Sequence, residues 1–173
     1  MKEIASGLAR VAQAHPEAII LFPVHPNPVV RAAINPGLKS LPNVVLCEPL
    51  DYPQFLWCLK KAFLVISDSG GVQEEATALG KPVLVLREET ERQEGIRAGA
   101  LKLVGTDSVR IAREAHRLLV DARAYGRMCR ASNIFGDGQA ASRIVRVVRE
   151  SLAGGVTPRS GAEEPAEVAA PAS

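Results

Sequence analysis

Aromatic residues are scarce in this chain, one Trp, two Tyr and four Phe, so any core rests on aliphatic side chains. Cysteine is scarce as well. Cys47, Cys58 and Cys129 are odd in number, widely spaced and without a Cys-x-x-Cys pair, which argues against a disulfide framework or a zinc site and for reduced thiols in the cytoplasm. No stretch of 18 apolar residues and no signal-peptide-like apolar region occurs, so no membrane segment is expected. Charge of one sign is also lacking: the net charge is +2 with acids and bases interspersed, which leaves no basic footprint for nucleic acid or a membrane surface. What remains is a chain of 173 residues, long enough for one cored domain.

Its most informative stretch is Phe63 to Pro82. The apolar run Phe63–Ile66 has the character of a strand buried on both faces. Val72, Ala76 and Leu79 fall on one helical face. Gly80 suits the left-handed residue after a helix, and Pro82 prevents continuation. Between strand and helix lies Ser67-Asp68-Ser69-Gly70-Gly71. Two glycines in a first helical turn lose about 1 kcal/mol each against alanine, and Ser69 alone would serve as a cap. Glycine there is explained if a ligand approaches the backbone closely, and a helix N-terminus favours a phosphate or diphosphate. Glu75, just over one turn further on, can accept two ribose hydroxyls. Phosphate plus ribose means a nucleotide. An ordinary glycine turn beside a solvated Glu-Glu pair is the other reading of the same residues.

Taken in order, the pattern predicts a helix over 2–14, a strand at 18–22, a short helix over 28–34 ended by Asn35-Pro36-Gly37, a strand at 44–47 and a helix over 53–61. The strand at 63–66, its glycine turn and helix follow, then a strand at 83–86. Thr90 and Gln93 have capping-box spacing, so a brief helix should start at Thr90. A strand at 100–104 and helices near 107–120, 121–132 and 137–151 complete the series. Alternating helices and strands predict an α/β, doubly wound parallel sheet, Rossmann-like, with ligands at the carboxyl ends of the strands. Residues 1–152 form the expected domain. Residues 153–173, rich in Ala, Gly, Pro, Ser and Glu without periodicity, are expected to be a disordered tail.

Several segments stand in a specific order: Pro23-Val24-His25-Pro26-Asn27-Pro28, Glu48-Pro49-Leu50-Asp51-Tyr52, SDSGGVQEEATALGKPVLVLREETERQEG at 67–95, KLVGTD at 102–107 and FGDGQAASRI at 135–144. Together they resemble the C-terminal half of the non-hydrolysing UDP-N-acetylglucosamine 2-epimerases, over about residues 2–150. The resemblance implies the C-terminal domain of a GT-B-type two-domain fold. It implies interconversion of UDP-GlcNAc and UDP-ManNAc by elimination and re-addition of UDP, with no nicotinamide or metal cofactor, in a homodimer when complete. Position by position it implies that Ser69, Gly70 and Gly71 bind the diphosphate, Glu75 the ribose, and Arg92 the phosphate and sugar region. Leu50 and Phe55 would lie at the uracil pocket and His25 in the active site beside the breaking bond. Arg31 is a weaker candidate for contact with a second, activating nucleotide-sugar.

Gln93 stands where the family usually has proline, and Ile134-Phe135 where it has Pro-Tyr. The resemblance also implies that the family's N-terminal domain, and the strand opening the C-terminal domain, are missing from these residues. That strand would be central to the sheet, so the fragment alone is expected to be inactive and to need the N-terminal half as partner. The nucleotide-sugar-binding half of a GT-B glycosyltransferase and a non-catalytic UDP-sugar-binding remnant are the alternatives. His25, apart from the resemblance, reads first as a hydrogen-bonded loop histidine and only second as a substrate contact.

Overall fold

In the computed structural model, residues 1–129 and 134–154 are described; residues 155–173, nearly all of the expected tail, lie outside them. The chain divides into a unit of residues 1–135 and a unit beginning at Gly136.

Within the first unit, α1 (Lys2–Ala14) buries Ile4, Ala5, Leu8, Val11 and Ala12 along one stripe. It crosses α6 (Ser108–Val120) at Gly7, where a Cβ would stand 3.0 Å from the Ile111 Cβ and 3.2 Å from the Ser108 carbonyl oxygen. Hydrogen there permits backbone-to-side-chain contact that alanine would obstruct. The turn into β1 (Ile20–Pro23) is held by the Asn43 side-chain amide, which donates toward the carbonyls of Ala12, His15 and Ala18.

Helix α2 runs from Pro28 to Leu38, past the stop expected at Asn35-Pro36-Gly37. Ile34 and Leu38, one turn apart, are both fully buried. Burying two such side chains gives about 1.5–3 kcal/mol each, enough to offset the roughly 3 kcal/mol that proline costs within a helix. Strand β2 (Val44–Cys47) pairs with β1 in parallel, Leu21 opposite Val45. Helix α3 (Tyr52–Lys61) starts at an Asp51 cap whose carboxylate accepts the Gln54 N–H. Next come β3 (Val65–Ser67), α4 (Gly70–Ala78), β4 (Val83–Val85), α5 (Gln93–Arg97) and β5 (Leu101–Leu103), then α6 and α7 (Ala122–Cys129). Gly80 adopts the left-handed conformation after α4, with φ of 67°.

The strands are parallel and alternate with helices, an α/β fold wound to both sides of its strands. They do not form the single sheet expected. β1 and β2 make one sheet, and β3, β4 and β5, in that order, make another. One core lies against Ile20, Phe22, Val44 and Leu46 of the first sheet and Leu64, Ile66, Leu84 and Leu86 beside the second. A smaller core on the opposite face of the second sheet gathers Leu59, Val65, Ala76, Val83, Val85 and Leu101. That face of the first sheet is uncovered, with Leu21 and Val45 exposed.

Helix α5 begins at Gln93, three residues later than the capping-box spacing predicts. Thr90 and Gln93 do interact, but the Gln93 amide donates to the Thr90 carbonyl and the Thr90 hydroxyl accepts the Arg92 N–H. The Thr90 side chain is drawn inward by another partner, described below, and is not free to cap.

The second unit contains α8 (Ala140–Gly154). Ahead of it Gly136 and Gly138 adopt positive φ, while Asp137 pairs with both terminal nitrogens of Arg143 at 2.9 and 2.6 Å.

Candidate functional site

Four loops leave the carboxyl ends of β1, β2, β3 and β4, and they carry the residues singled out from the sequence. The β3–α4 turn is the best formed. Ser69 is the N-cap of α4 in extended conformation, yet its side chain makes no capping hydrogen bond; the Ser69 N–H bonds instead to the Ser67 hydroxyl at 3.1 Å. The first amides of α4 therefore keep the unpaired donors and partial positive charge of a helix start.

The two glycines differ. A Cβ on Gly70 would lie 2.9 Å from Cζ of Arg92 and 3.1–3.2 Å from its terminal nitrogens, so the guanidinium rests directly on the first residue of the helix. A Cβ on Gly71 would meet nothing within 4 Å. Neither glycine has positive φ among those that do, so the backbone conformation does not require them. Gly70 makes room for Arg92. Gly71 leaves open space.

Arg92 is held from two sides. Its Nε and Nη2 bind Glu74 Oε1 at 2.8 and 2.7 Å, and its Nη1 binds Glu91 Oε1 at 2.6 Å. Gly70 and Glu74 are one helical turn apart, as are Gly71 and Glu75, so α4 presents two adjacent rows. Arg92 spans the first row. The second consists of the open notch at Gly71 and the half-buried Glu75.

Beneath them, Gln73 is fully buried. Its Oε1 accepts the Thr90 hydroxyl at 2.9 Å, and its carbonyl accepts the Thr77 hydroxyl at 2.7 Å. Thr90 in turn accepts the Arg92 N–H, so one buried hydrogen-bonded chain links the core side of α4 to the backbone of Arg92. Among the described residues Gln73 Nε2 is buried without a hydrogen-bond partner, a polar atom whose desolvation costs about 1–3 kcal/mol. Glu74, Glu91, Gln73 and Thr90 were not among the residues expected at the site. Capping-box spacing had marked Thr90, but for a different role.

The remaining candidates are placed as follows. Leu50, half-buried after β2, lines an apolar hollow of about 470 Å³ with Pro53, Gln54, Trp57 and Cys58. Phe55 is not part of that lining; it packs half-buried against the smaller core. His25 is exposed beyond β1, its Nδ1 accepting the Asn27 N–H at 3.2 Å. Arg31 is committed to Glu48 through two hydrogen bonds, of 2.8 and 2.5 Å. That pairing holds the Glu48 carboxyl below its usual range, chiefly through the hydrogen bond from Arg31. Beside it, burial first and the neighbouring Cys58 and Glu48 next push the Cys47 thiol up, so it stays protonated. All three cysteines are free.

Such a helix start, with an arginine laid over it, a glycine notch and a carboxylate one turn further, can hold a phosphorylated, hydroxyl-bearing ligand. The UDP-N-acetylglucosamine 2-epimerase family matches residues 1–149. The Escherichia coli K12 UDP-N-acetylglucosamine 2-epimerase is 48% identical over 150 residues, 87% of this chain and 40% of its own length. Among solved structures, S. aureus MnaA with UDP superposes with a TM-score of 0.84 at 40% identity, over 88% of this chain and 42% of that one. The Neisseria meningitidis UDP-GlcNAc 2-epimerase bound to UDP-GlcNAc gives 0.82 at 40% identity, over 86% and 40%. This chain thus spans about 40% of the length of the curated relatives it matches, and it belongs to the UDP-N-acetylglucosamine 2-epimerase family.

Proposed function

We propose that these residues form the UDP-binding half of an enzyme interconverting UDP-GlcNAc and UDP-ManNAc. The observation that carries this reading is the Arg92 guanidinium laid across Gly70 by Glu74 at the open N-terminus of α4. The free amides of Gly70 and Gly71, the unused Ser69 hydroxyl and Arg92 receive the diphosphate, where hydrogen bonds are charge-assisted and short. Glu75, on the Gly71 row, accepts the ribose hydroxyls. The hollow beside Leu50 takes the uracil, with Phe55 supporting α3 from the core side. Relatives solved with UDP and with UDP-GlcNAc support the ligand class.

In the reaction a base removes the C2 proton while the C1–oxygen bond to UDP breaks, giving UDP and a 2-acetamidoglucal. Re-addition of UDP at C1 with protonation of C2 from the other face gives the epimer. The groups assigned here stabilise the departing diphosphate, and His25 approaches the breaking bond. The nearby Glu48 is engaged by Arg31, so the base for C2 is assigned to the complementary half of the enzyme.

Two measurements test this. Calorimetry should give UDP a lower Kd than uridine, because the α4 amides address phosphate; equal affinities would refute the site. Deuterium incorporation at C2 of UDP-GlcNAc in heavy water should be undetectable with the 173-residue chain and appear when the complementary half is added. Incorporation by this chain alone would require a base within it.

A further inference from the structure

Residues 87–92 form neither helix nor strand, so no regular backbone pattern places Arg92 over the start of α4. The loop is anchored at its beginning, where the Arg87 carbonyl accepts the Gly105 N–H. Of residues 88–91 Thr90 alone is buried, at 5% exposed. A threonine hydroxyl has a single proton. Here it goes to Gln73 Oε1 at 2.9 Å, which leaves the oxygen to accept the Arg92 N–H at 3.2 Å. Glu74, the next residue of the same helix, holds the guanidinium. The backbone and the side chain of Arg92 are thus referred to two consecutive residues of α4.

Core packing does not account for Gln73. It is fully buried, and among the described residues its Nε2 has no hydrogen-bond partner. Methionine, unbranched and of similar length, would fill the same space without a buried unpaired donor. Glutamine there serves the fold no better than methionine would, so its use lies in Oε1, the atom that orders Thr90.

We propose that Gln73 and Thr90 are positioning residues: without touching the ligand, they fix the backbone of Arg92 so that its guanidinium stands over Gly70, where a phosphate meets the α4 amides. This rests on the UDP-binding reading of the α4 site and places part of the affinity in two buried side chains. Glu74 and Glu91 hold the guanidinium only until a phosphate takes their place. The hydroxyl of Thr90 bonds the main chain, where the phosphate does not compete, so it keeps Arg92 in register while the side chain exchanges partners.

The test compares Thr90→Val, Thr90→Ser and Gln73→Met in the intact chain, each alone and combined with Arg92→Ala. By titration calorimetry, Thr90→Val and Gln73→Met should raise the Kd for UDP about three- to tenfold, the size of one neutral hydrogen bond. Thr90→Ser, which keeps the hydroxyl, should leave it close to the wild-type value. In the Arg92→Ala background none of the three should matter, because the tether acts through that side chain. Without ligand, hydrogen exchange at the Arg92 amide, read by NMR, should quicken in Thr90→Val and not in Thr90→Ser, and Gln73→Met should not lower Tm. Unchanged UDP affinity in Thr90→Val and Gln73→Met would overturn the proposal. So would equal losses with and without Arg92, an unchanged Arg92 amide in Thr90→Val, or a less stable Gln73→Met chain, since packing would then explain the glutamine. Wild type that binds UDP no better than uridine would refute the α4 site itself and the proposal with it, a failure visible before any variant is made.

Discussion

Replacing Gly71 with alanine separates what the fold needs from what the ligand needs. A Cβ at this position meets nothing within 4 Å, and no positive φ stands in its way. Alanine in a first helical turn should therefore stabilise the fold by about 0.5–1 kcal/mol, raising Tm by roughly 1–4 °C for a domain of this size. The same methyl group fills the notch through which a phosphate oxygen would reach the α4 amides. Loss of one charge-assisted hydrogen bond is worth about 1.5–3 kcal/mol, or roughly 10–100-fold in Kd for UDP. Thermal unfolding and titration calorimetry on the same preparation give both numbers. A more stable variant that binds UDP normally would refute a ligand role for the glycine. A less stable one would refute the open notch.

Glu74→Gln should free Arg92 from a carboxylate that the phosphate has to displace and strengthen UDP binding several-fold, with little change in Tm because the pair is partly exposed and solvent-screened; unchanged affinity across a salt series would remove Glu74 from the site. Glu75→Ala should weaken UDP more than 2′,3′-dideoxy-UDP, and calorimetry showing equal losses would exclude a ribose contact. Glu114, nearly buried, is pulled in two directions: burial raises its pKa, but the hydrogen bond and charge of Lys102, with Arg117 and Arg113, leave it below the ordinary carboxylate value. Its stabilisation is thus present above the unfolded-state pKa, about 4.3, and lost as pH falls through the lower folded value. Glu114→Gln should destabilise the fold at neutral pH by about 1–2 kcal/mol, for a charged hydrogen bond that is partly exposed on the lysine side, and the difference from wild type should shrink in acid; a constant difference down to pH 3 would contradict the pairing.

Much of this fold was legible because short apolar runs are bounded by glycine and proline, as at Phe63–Pro82. Burial then shifted the boundaries. Ile34 and Leu38 carried α2 through Pro36, a tertiary gain that local propensity does not contain. The site was legible in its glycines and in Arg92, but not in what holds Arg92. Glu74 and Glu75 are adjacent acids about 100° apart on α4, and only packing decides which one faces Arg92. Gln73 escaped notice because the buried arc of α4 is wider than the row Val72, Ala76 and Leu79, and so takes in a polar residue. Strand order is a property of topology, so the periodicity that located five strands was silent on which edges would meet.

The carboxylates around Arg92 bear on how a ligand would be released. Glu74 and Glu91 occupy the guanidinium before any phosphate arrives, so binding there is a change of anion and not the filling of an empty site. The net gain from that contact is the difference between two ion pairs, small even when each is strong. When the ligand leaves, the carboxylates return, and no bare cation has to be resolvated. A site built in this way can grip a diphosphate through the helix end while letting go of it quickly, and most of its selectivity must come from the amides and the glycine notch, not from the arginine's charge.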